Sequence, residues 1–581
     1  MRKKTKDIIL PPRLNSLRDM VDGTARMYGD KVHYRYRRGK ELHAVTYNDQ
    51  KKNVDALGTA FYSLGLMGKR IAVIGNACPE YMETYYAAVC GGGVIIPLDK
   101  DLGDEELCRF IVLSEAEAIV YTGAFNEKLP GFSDRIPAVR YFIPIEPDPA
   151  KAAAEPAVSD TDGKKVMVYS DLIALGQKAL EGGERAFVDC KPDMDKMCAL
   201  LFTSGTTGTS KGVVLSNRNI TAAVNASVYS MAYDRDDVFV DLLPMHHSYE
   251  VTCGHMGISA IGGELYINDS LKNTMRSIAY AKPTALMVVP LYVETMHKRV
   301  WAEIEKKKMT GKVKAAMKLS EALFAVGIDV RRKLFRDVID GLGGNLYSIV
   351  VGGAPISPQI VKDFHAFGID VLEGYGITEC APLVAVNRPE KVRYHSVGQP
   401  VDGCTVKIDL DGSSEGRDGT PAGEILVKGG NVMTGYYENP EATAAVFTED
   451  GWFRTGDIGY IDPEGYIFIT GRKKNVIILS NGKNVFPEEL EEHLSHSPLV
   501  SECVVVGRTH DNGETVITAV IYPDPDAVKE TDPEKKKALL KEEVNNINRT
   551  LPVYKQIRDV ELRDTEFEKT TSRKIKRFLV K

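Results

Sequence analysis

Along residues 48–121 the chain switches repeatedly between helical and strand-like spacing of its apolar positions. Residues 48–64, 81–89 and 104–113 repeat apolar side chains at helical intervals, while 71–74, 94–97 and 118–121 are short apolar runs. Taken in order, these stretches predict βαβ units and hence a parallel sheet covered by helices. Further strands are predicted at 198–202, 213–215, 285–289, 346–351 and 370–372, and two of the last three run into glycine-bearing turns. Ligands collect at such carboxyl ends in open α/β sheets, because the loops converge there.

Two stretches break the rhythm. Residues 145–165 lose all periodicity and are rich in Ala, Pro and Asp, which predicts an exposed insertion. Residues 301–340 form a basic, amphipathic helical insertion. A solvated helical pair is the ordinary meaning of such a charge run, and a membrane-surface or substrate-gate element is the sharper alternative. After residue 471 a second βαβ-type pattern appears, with a helix at 485–494 following Pro487, strands at 502–506 and 514–522, and a Lys/Glu-rich helix at 532–551. A chain of 581 residues exceeds what one core supports. The expected fold is therefore α/β, with a large N-terminal domain of helix-covered mixed sheets in residues 1–471 and a small α+β C-terminal domain in 472–581.

Composition narrows the function. The 74 basic and 80 acidic side chains give a net charge of −6, which makes no electrostatic case for a nucleic-acid partner. Nine cysteines without a CxxC pair argue for a reducing compartment and against a disulfide framework or structural zinc. The basic start is followed by only three apolar residues before Pro11 and Pro12, which is no signal peptide. No run approaches the ~20 apolar residues of a spanning helix, so membrane contact is expected to be peripheral at most. These features fit a cytoplasmic enzyme and leave its oligomeric state open between monomer and homodimer.

The candidate chemistry begins at residues 201–215, LFTSGTTGTSKGVVL. Such a loop is suited to a polyphosphate. Gly205, Gly208 and Gly212 permit backbone angles closed to other residues, so that N–H groups can converge on phosphate oxygens. Thr203, Ser204, Thr206, Thr207, Thr209 and Ser210 add hydroxyls, and Lys211 adds a compact cation. The spacing is not Walker A, since Ser210 precedes the lysine and Gly212 follows it. A second cluster, VLEGYGITECAP at 371–382, offers Tyr375 between Gly374 and Gly376, a flat aromatic for a purine face, and Glu379, a carboxylate for a hard cation. A third lies at 451–491, where Asp457 follows a Thr-Gly turn and can accept from both hydroxyls of a ribose, and where an Asp462–Gly465 turn joins strands at 458–461 and 466–470. His246 and His247 in LPMHHSYE suggest a metal pair, but neighbouring side chains in a loop or strand point apart and no third ligand is near in sequence.

TSGTTGTSKG resembles, nearly letter for letter, the phosphate loop of the adenylate-forming superfamily of acyl-CoA synthetases, luciferases and peptide-synthetase adenylation domains. Its other signatures follow in the family's order over about residues 45–581. The resemblance implies ATP, Mg²⁺ and coenzyme A, with the 203–211 loop and Lys211 on the β- and γ-phosphates. It assigns Tyr375, within Glu373–Gly376, to stacking on adenine, Thr378 to the α-phosphate, and Glu379 with Thr206 to Mg²⁺. Gly352, Gly353 and Ala354 would give backbone contacts to the nucleotide and part of an acyl-pocket wall, and His247 would stand near the reacting carboxylate. Arg472 would contact the ribose, Lys474 would be the hinge of a mobile C-terminal domain, and Gly482 would lie where the pantetheine thiol enters. Lys574 aligns with the adenylation lysine, although Arg573 stands where relatives usually carry Gly, leaving Lys569 and Lys576 as alternatives.

The implied reaction joins a carboxylic acid to AMP with loss of pyrophosphate, then transfers the acyl group to coenzyme A. The 301–340 insertion and the ILSNGKN spacing look like the long-chain branch and point to a medium- or long-chain fatty acid. Delivery to an acyl carrier protein, an aryl or other acid, and a non-catalytic regulator that kept the fold are the alternatives.

Overall fold

The computed structural model describes residues 8–146, 164–203, 210–415, 419–479, 483–509, 515–569 and 575–580. The largest sheet has eight strands. Its centre runs Met197–Thr203, Val94–Leu98, Arg70–Ile74, Ala118–Tyr121 and Tyr141–Pro144, all parallel. Arg70–Ile74 and Val94–Leu98 are buried on both faces, which is why they read as unbroken apolar runs instead of alternating ones. On one side of the centre the sheet turns antiparallel through Lys211–Ser216 and then Gly435–Tyr436.

The covering helices start where the sequence supplies caps. Thr46 and Asp49 form a reciprocal capping box at Tyr47–Ser63, Ser216 and Asn219 do so at Asn217–Ser230, and Pro79 opens Pro79–Cys90. The helix and strand at Asp104–Leu113 and Ala118–Tyr121 agree with the sequence reading residue for residue. Most of the insertion expected at 145–165 lies outside the described residues.

A five-stranded sheet orders Ala285–Val288, Ser348–Val351, Asp370–Gly376, Leu383–Val386 and Gln399–Pro400. The strand expected to end at residue 372 continues to Gly376, because it changes partner. It pairs parallel with Ser348–Val351 as far as Glu373 and antiparallel with Leu383–Val386 from Gly374. Gly374 and Gly376 are thus strand residues, not turn residues. Close approach is what demands glycine at 376, where a Cβ would stand 2.3 Å from the Pro382 carbonyl oxygen. An antiparallel sheet of Cys404–Glu415, Pro421–Gly429, Phe453–Ile461 and Ile467–Arg472 follows.

The basic insertion is helical, divided among Pro290–Lys306, Thr310–Ala325, Arg331–Leu334 and Arg336–Gly341. In Thr310–Ala325 an inward stripe of Val313, Ala316, Met317 and Ser320 has i, i+3, i+4, i+7 spacing, while Lys312, Lys314, Lys318 and Leu319 face solvent. Among the described residues no helix is long and apolar enough to cross a membrane.

The smaller C-terminal domain carries an antiparallel pair, Val500–Thr509 and Thr515–Pro523, then a parallel strand Asp559–Leu562 reached through the helix Pro533–Asn548. This helix ends three residues earlier than the sequence pattern suggested, and Asp532 caps its start. Pro487–Ser495 covers the same sheet, over a separate core that includes Leu490, Val505, Ile517 and Leu540.

Candidate functional site

Thr203 and Lys211 face each other as partners in an antiparallel ladder, and Thr203 Oγ1 donates to the Lys211 carbonyl at 3.4 Å. The two strands therefore hold the ends of the 204–209 loop together. Ser204, Gly205, Thr206, Thr207, Gly208 and Thr209 themselves lie outside the described residues, as do Gly482 and Lys574. Gly212 differs from expectation. It sits in the strand without a left-handed angle, and its need for glycine is contact, since a Cβ there would meet Leu200 at 2.9 Å and Tyr437 at 3.2 Å.

The Lys211 ammonium lies over the ring of Tyr436, 4.7 Å from its centroid. The hydroxyl of Tyr436 donates to Glu379 Oε1 at 2.9 Å. Burial, then the neighbouring carboxylate, pushes this phenol well above its ordinary pKa, so Tyr436 remains a donor. Glu379 belongs to the single turn Thr378–Cys380, anchored by Met433 N–H donating to its carbonyl at 2.7 Å. Tyr436 thus joins two predicted residues far apart in the sequence, Lys211 and Glu379, and the sequence reading did not single it out. Its only local signal is an aromatic pair beside Gly435. The Glu379 carboxylate, with Oε1 engaged by a neutral donor, offers the hard oxygen that a magnesium ion prefers.

A second meeting point is Asp457. It lies inside the strand Phe453–Ile461 rather than just after a turn, is 3% exposed, and pairs across the ladder with Arg472. Tyr375 donates its hydroxyl to Asp457 Oδ2 at 2.5 Å, and Arg472 Nε lies 2.9 Å from Oδ1. Burial, followed by the Asp457 charge, raises the Tyr375 phenol well above its usual range. One carboxylate therefore ties an aromatic from the five-stranded sheet to a guanidinium at the edge of the antiparallel sheet.

Gly352, Gly353 and Ala354 follow the strand Ser348–Val351, with Gly353 at φ +87°, where glycine is favoured. The Tyr249 ring packs beside Gly352, 3.5 Å from where a Cβ would stand, and its hydroxyl donates to the Val350 carbonyl at 3.2 Å. His246 and His247 do not point apart. Their ring centroids are 4.1 Å apart, because the His247 N–H donates to the Pro244 carbonyl and the resulting turn removes strand-like alternation. His246 Nε2 lies 3.4 Å from Asp99 Oδ2, and burial, then Lys100, lowers its pKa to about 4.

The junction with the C-terminal domain runs through Lys473–Asn475. Lys473 Nζ pairs with Glu424 at 2.9 Å, and Asn475 donates to Glu488 at 2.5 Å. Between them Lys474 is exposed, with Arg472 and Arg577 but also Asp457 and Glu488 around it. Desolvation, then Arg472, lowers its pKa to about 8. Further on, Lys569 is paired with Glu502 and with Glu566.

Residues 21–437 match the AMP-binding enzyme family, and residues 474–580 match the AMP-binding enzyme C-terminal domain. The chain belongs to the AMP-binding enzyme family. This member is 29% identical over 511 residues to the peroxisomal long chain acyl-CoA synthetase 6 of Arabidopsis thaliana, covering 84% of this chain and 69% of that protein. It is 25% identical over 583 residues to the chloroplastic long-chain-fatty-acid–acyl-carrier-protein ligase AEE15 of the same plant, covering 90% and 78%. Its fold is that of the anthranilate CoA ligase AuaEII, solved in complex with anthranoyl-AMP, at a TM-score of 0.74 and 18% identity over 100% of this chain and 98% of that one.

Proposed function

We propose that this AMP-binding enzyme activates a medium- or long-chain fatty acid as acyl-AMP, releasing pyrophosphate, and then transfers the acyl group to coenzyme A with release of AMP. The observation that carries the reading is the pair of linked clusters, Lys211–Tyr436–Glu379 and Tyr375–Asp457–Arg472. The first gathers a cation and a hard carboxylate beside the loop whose composition suits polyphosphate, and the second sets an aromatic and a carboxylate together as a nucleoside requires.

A fatty carboxylate and the α-phosphate of ATP repel, so adenylation needs positive charge and fixed geometry at their meeting point. Lys211 and the 203–211 loop would hold the departing phosphates, Thr378 the α-phosphate, and Asp457 with Arg472 the ribose. Magnesium bound at Glu379 and Thr206 would supply neutralising charge on the phosphates. His247, two residues before the Tyr249 whose ring packs on Gly352, would border the acid. Lys574 is assigned to bridge the two anions, an assignment supported by the ion pairs that already occupy Lys569. After pyrophosphate leaves, rotation about Lys474 would carry Lys574 away and bring Gly482 to the thiol's path.

Residues 1–471 and 472–581 are the two moving bodies in this scheme, and the cytoplasm is its proposed location. The fatty acid is supported by the synthetase relatives, and delivery to an acyl carrier protein is supported by the ligase relative. Each methylene added to the acid can contribute about 0.8 kcal/mol of burial. Acid-dependent exchange of pyrophosphate into ATP, run from acetate to palmitate and followed by coenzyme A or a carrier protein, tests both. Best exchange with acetate or benzoate would exclude the fatty acid, and thioester formation on the carrier protein alone would exclude coenzyme A.

A further inference from the structure

A buried cluster lies at the foot of the loop that carries His246 and His247, and the chemistry above leaves it without a task. Asp241 ends the strand Val238–Asp241, while Glu250 and His255 come from the π-helical segment Tyr249–Gly257. Their exposures are 2%, 2% and 0%. His255 Nε2 is 3.6 Å from Asp241 Oδ2 and 3.9 Å from Glu250 Oε1, and one ligand atom from each residue falls within 4.8 Å of the other two.

Three features make this a built site. The π-helical winding is the first: residues five apart would be rotated by about 140° in an α-helix, whereas a turn closed by i→i+5 bonds stacks Glu250 and His255 on one side. The second is Gly254, where a Cβ would stand 2.8 Å from Glu250 Oε1, so that any side chain would displace the carboxylate. The third is the imidazole's orientation. His255 Nδ1 is 3.3 Å from the Tyr34 hydroxyl, which leaves Nε2 toward the two acids, in the manner of an outer group that aims a ligating histidine.

The polar atoms facing inward are unsatisfied. Asp241 Oδ2, Glu250 Oε2 and His255 Nε2 all lack hydrogen-bond partners although fully buried. Among the described residues no Lys or Arg lies within ion-pair distance of either carboxylate.

We propose that Asp241, Glu250 and His255 bind one divalent transition-metal ion of the zinc type, as a staple at the base of the 242–249 loop. Two carboxylates cancel the ion's charge, and the imidazole nitrogen selects zinc-like ions over magnesium or calcium. The site uses no cysteine, so the absence of CxxC does not bear on it. It is separate from the all-oxygen position proposed at Glu379, and it stands whether or not the acid is fatty.

The test uses the full chain purified without chelator, its metal content measured by mass spectrometry, then stripped and titrated with Zn²⁺ and Co²⁺. The expected result is about one equivalent per chain, with affinity reduced at least tenfold in Asp241→Asn and His255→Gln. Zn²⁺ should raise the Tm of the wild type and not of the variants. Co²⁺ should give the visible absorption of a low-coordinate nitrogen–oxygen site. The stripped wild type serves as its own control if a variant fails to fold. Less than a tenth of an equivalent of Zn²⁺ or Co²⁺ on the wild type would overturn the proposal in favour of a proton-sharing carboxyl pair. Undiminished binding in both variants would place the ion elsewhere and overturn it equally.

Discussion

Tyr436 carries two contacts of different chemistry, and single-atom changes separate them. Tyr436→Phe keeps the ring beneath Lys211 and deletes only the hydrogen bond to Glu379. A hydrogen bond to a charged group contributes about 1.5–3 kcal/mol, so kcat/KM for ATP should fall by roughly ten- to a hundredfold, with little change in the KM of the acid. Equal losses for both substrates would argue that the tyrosine serves the fold rather than the phosphates. Lys474 provides a pH signature. Its pKa falls from 10.5 to about 8 in the folded chain, so between those values the unfolded chain binds more protons and stability from this residue rises with pH. Replacing it with Gln should therefore raise Tm at pH 7, with the advantage shrinking as pH approaches 10. A constant offset across that range would place the effect outside titration. At this scale the sequence revealed chemistry better than partnership. Asp457 and Tyr375 stand out as candidates for a nucleotide by residue type and Arg472 by resemblance alone, but the convergence of Tyr375 and Arg472 on the Asp457 carboxylate joins positions 82 apart and depends on a register that no local pattern encodes.

Elements were legible where they obey one rule throughout and less so where they change role midway. The strand ending at Gly376 looked three residues long, because its second half pairs antiparallel and its glycines resemble turn formers. Gly212 misled in the same way, since close packing and left-handed backbone both select glycine and sequence alone does not separate them. The helix pair Tyr47–Ser63 and Tyr169–Glu181 shows the packing cause in pure form. A Cβ on Gly176 would lie 1.7 Å from the Ala56 carbonyl oxygen, so the helices touch through backbone. Gly176→Ala must push them apart and should cost about 1–3 kcal/mol of stability, against the small gain that alanine gives an unconstrained helix. Urea denaturation measures this directly, and a variant as stable as the wild type would show the contact to be looser than described.

The whole molecule adds what neither scale contains, the proposed division of one reaction between two bodies. The α/β layers and a smaller terminal domain were foreseeable from periodicity and length, whereas the family's activity came from short motifs, several of which flank loops outside the described residues. Under the proposed scheme Lys574 acts only where two anions meet. Lys574→Ala should lower adenylation by at least a hundredfold, or more than about 2.7 kcal/mol of transition-state stabilisation, while thioester formation from supplied acyl-AMP and coenzyme A stays within a few-fold of wild type. Parallel loss of both half-reactions would refute the rotation.

The central claim, that the two linked clusters serve fatty acid adenylation, is tested most directly by exchange of labelled pyrophosphate into ATP. The account predicts exchange that requires palmitate or a similar acid, needs no coenzyme A, and gives way to AMP and acyl-CoA once coenzyme A is added. Acid-dependent formation of ADP and phosphate, or no exchange with any acid from acetate to palmitate, would contradict it.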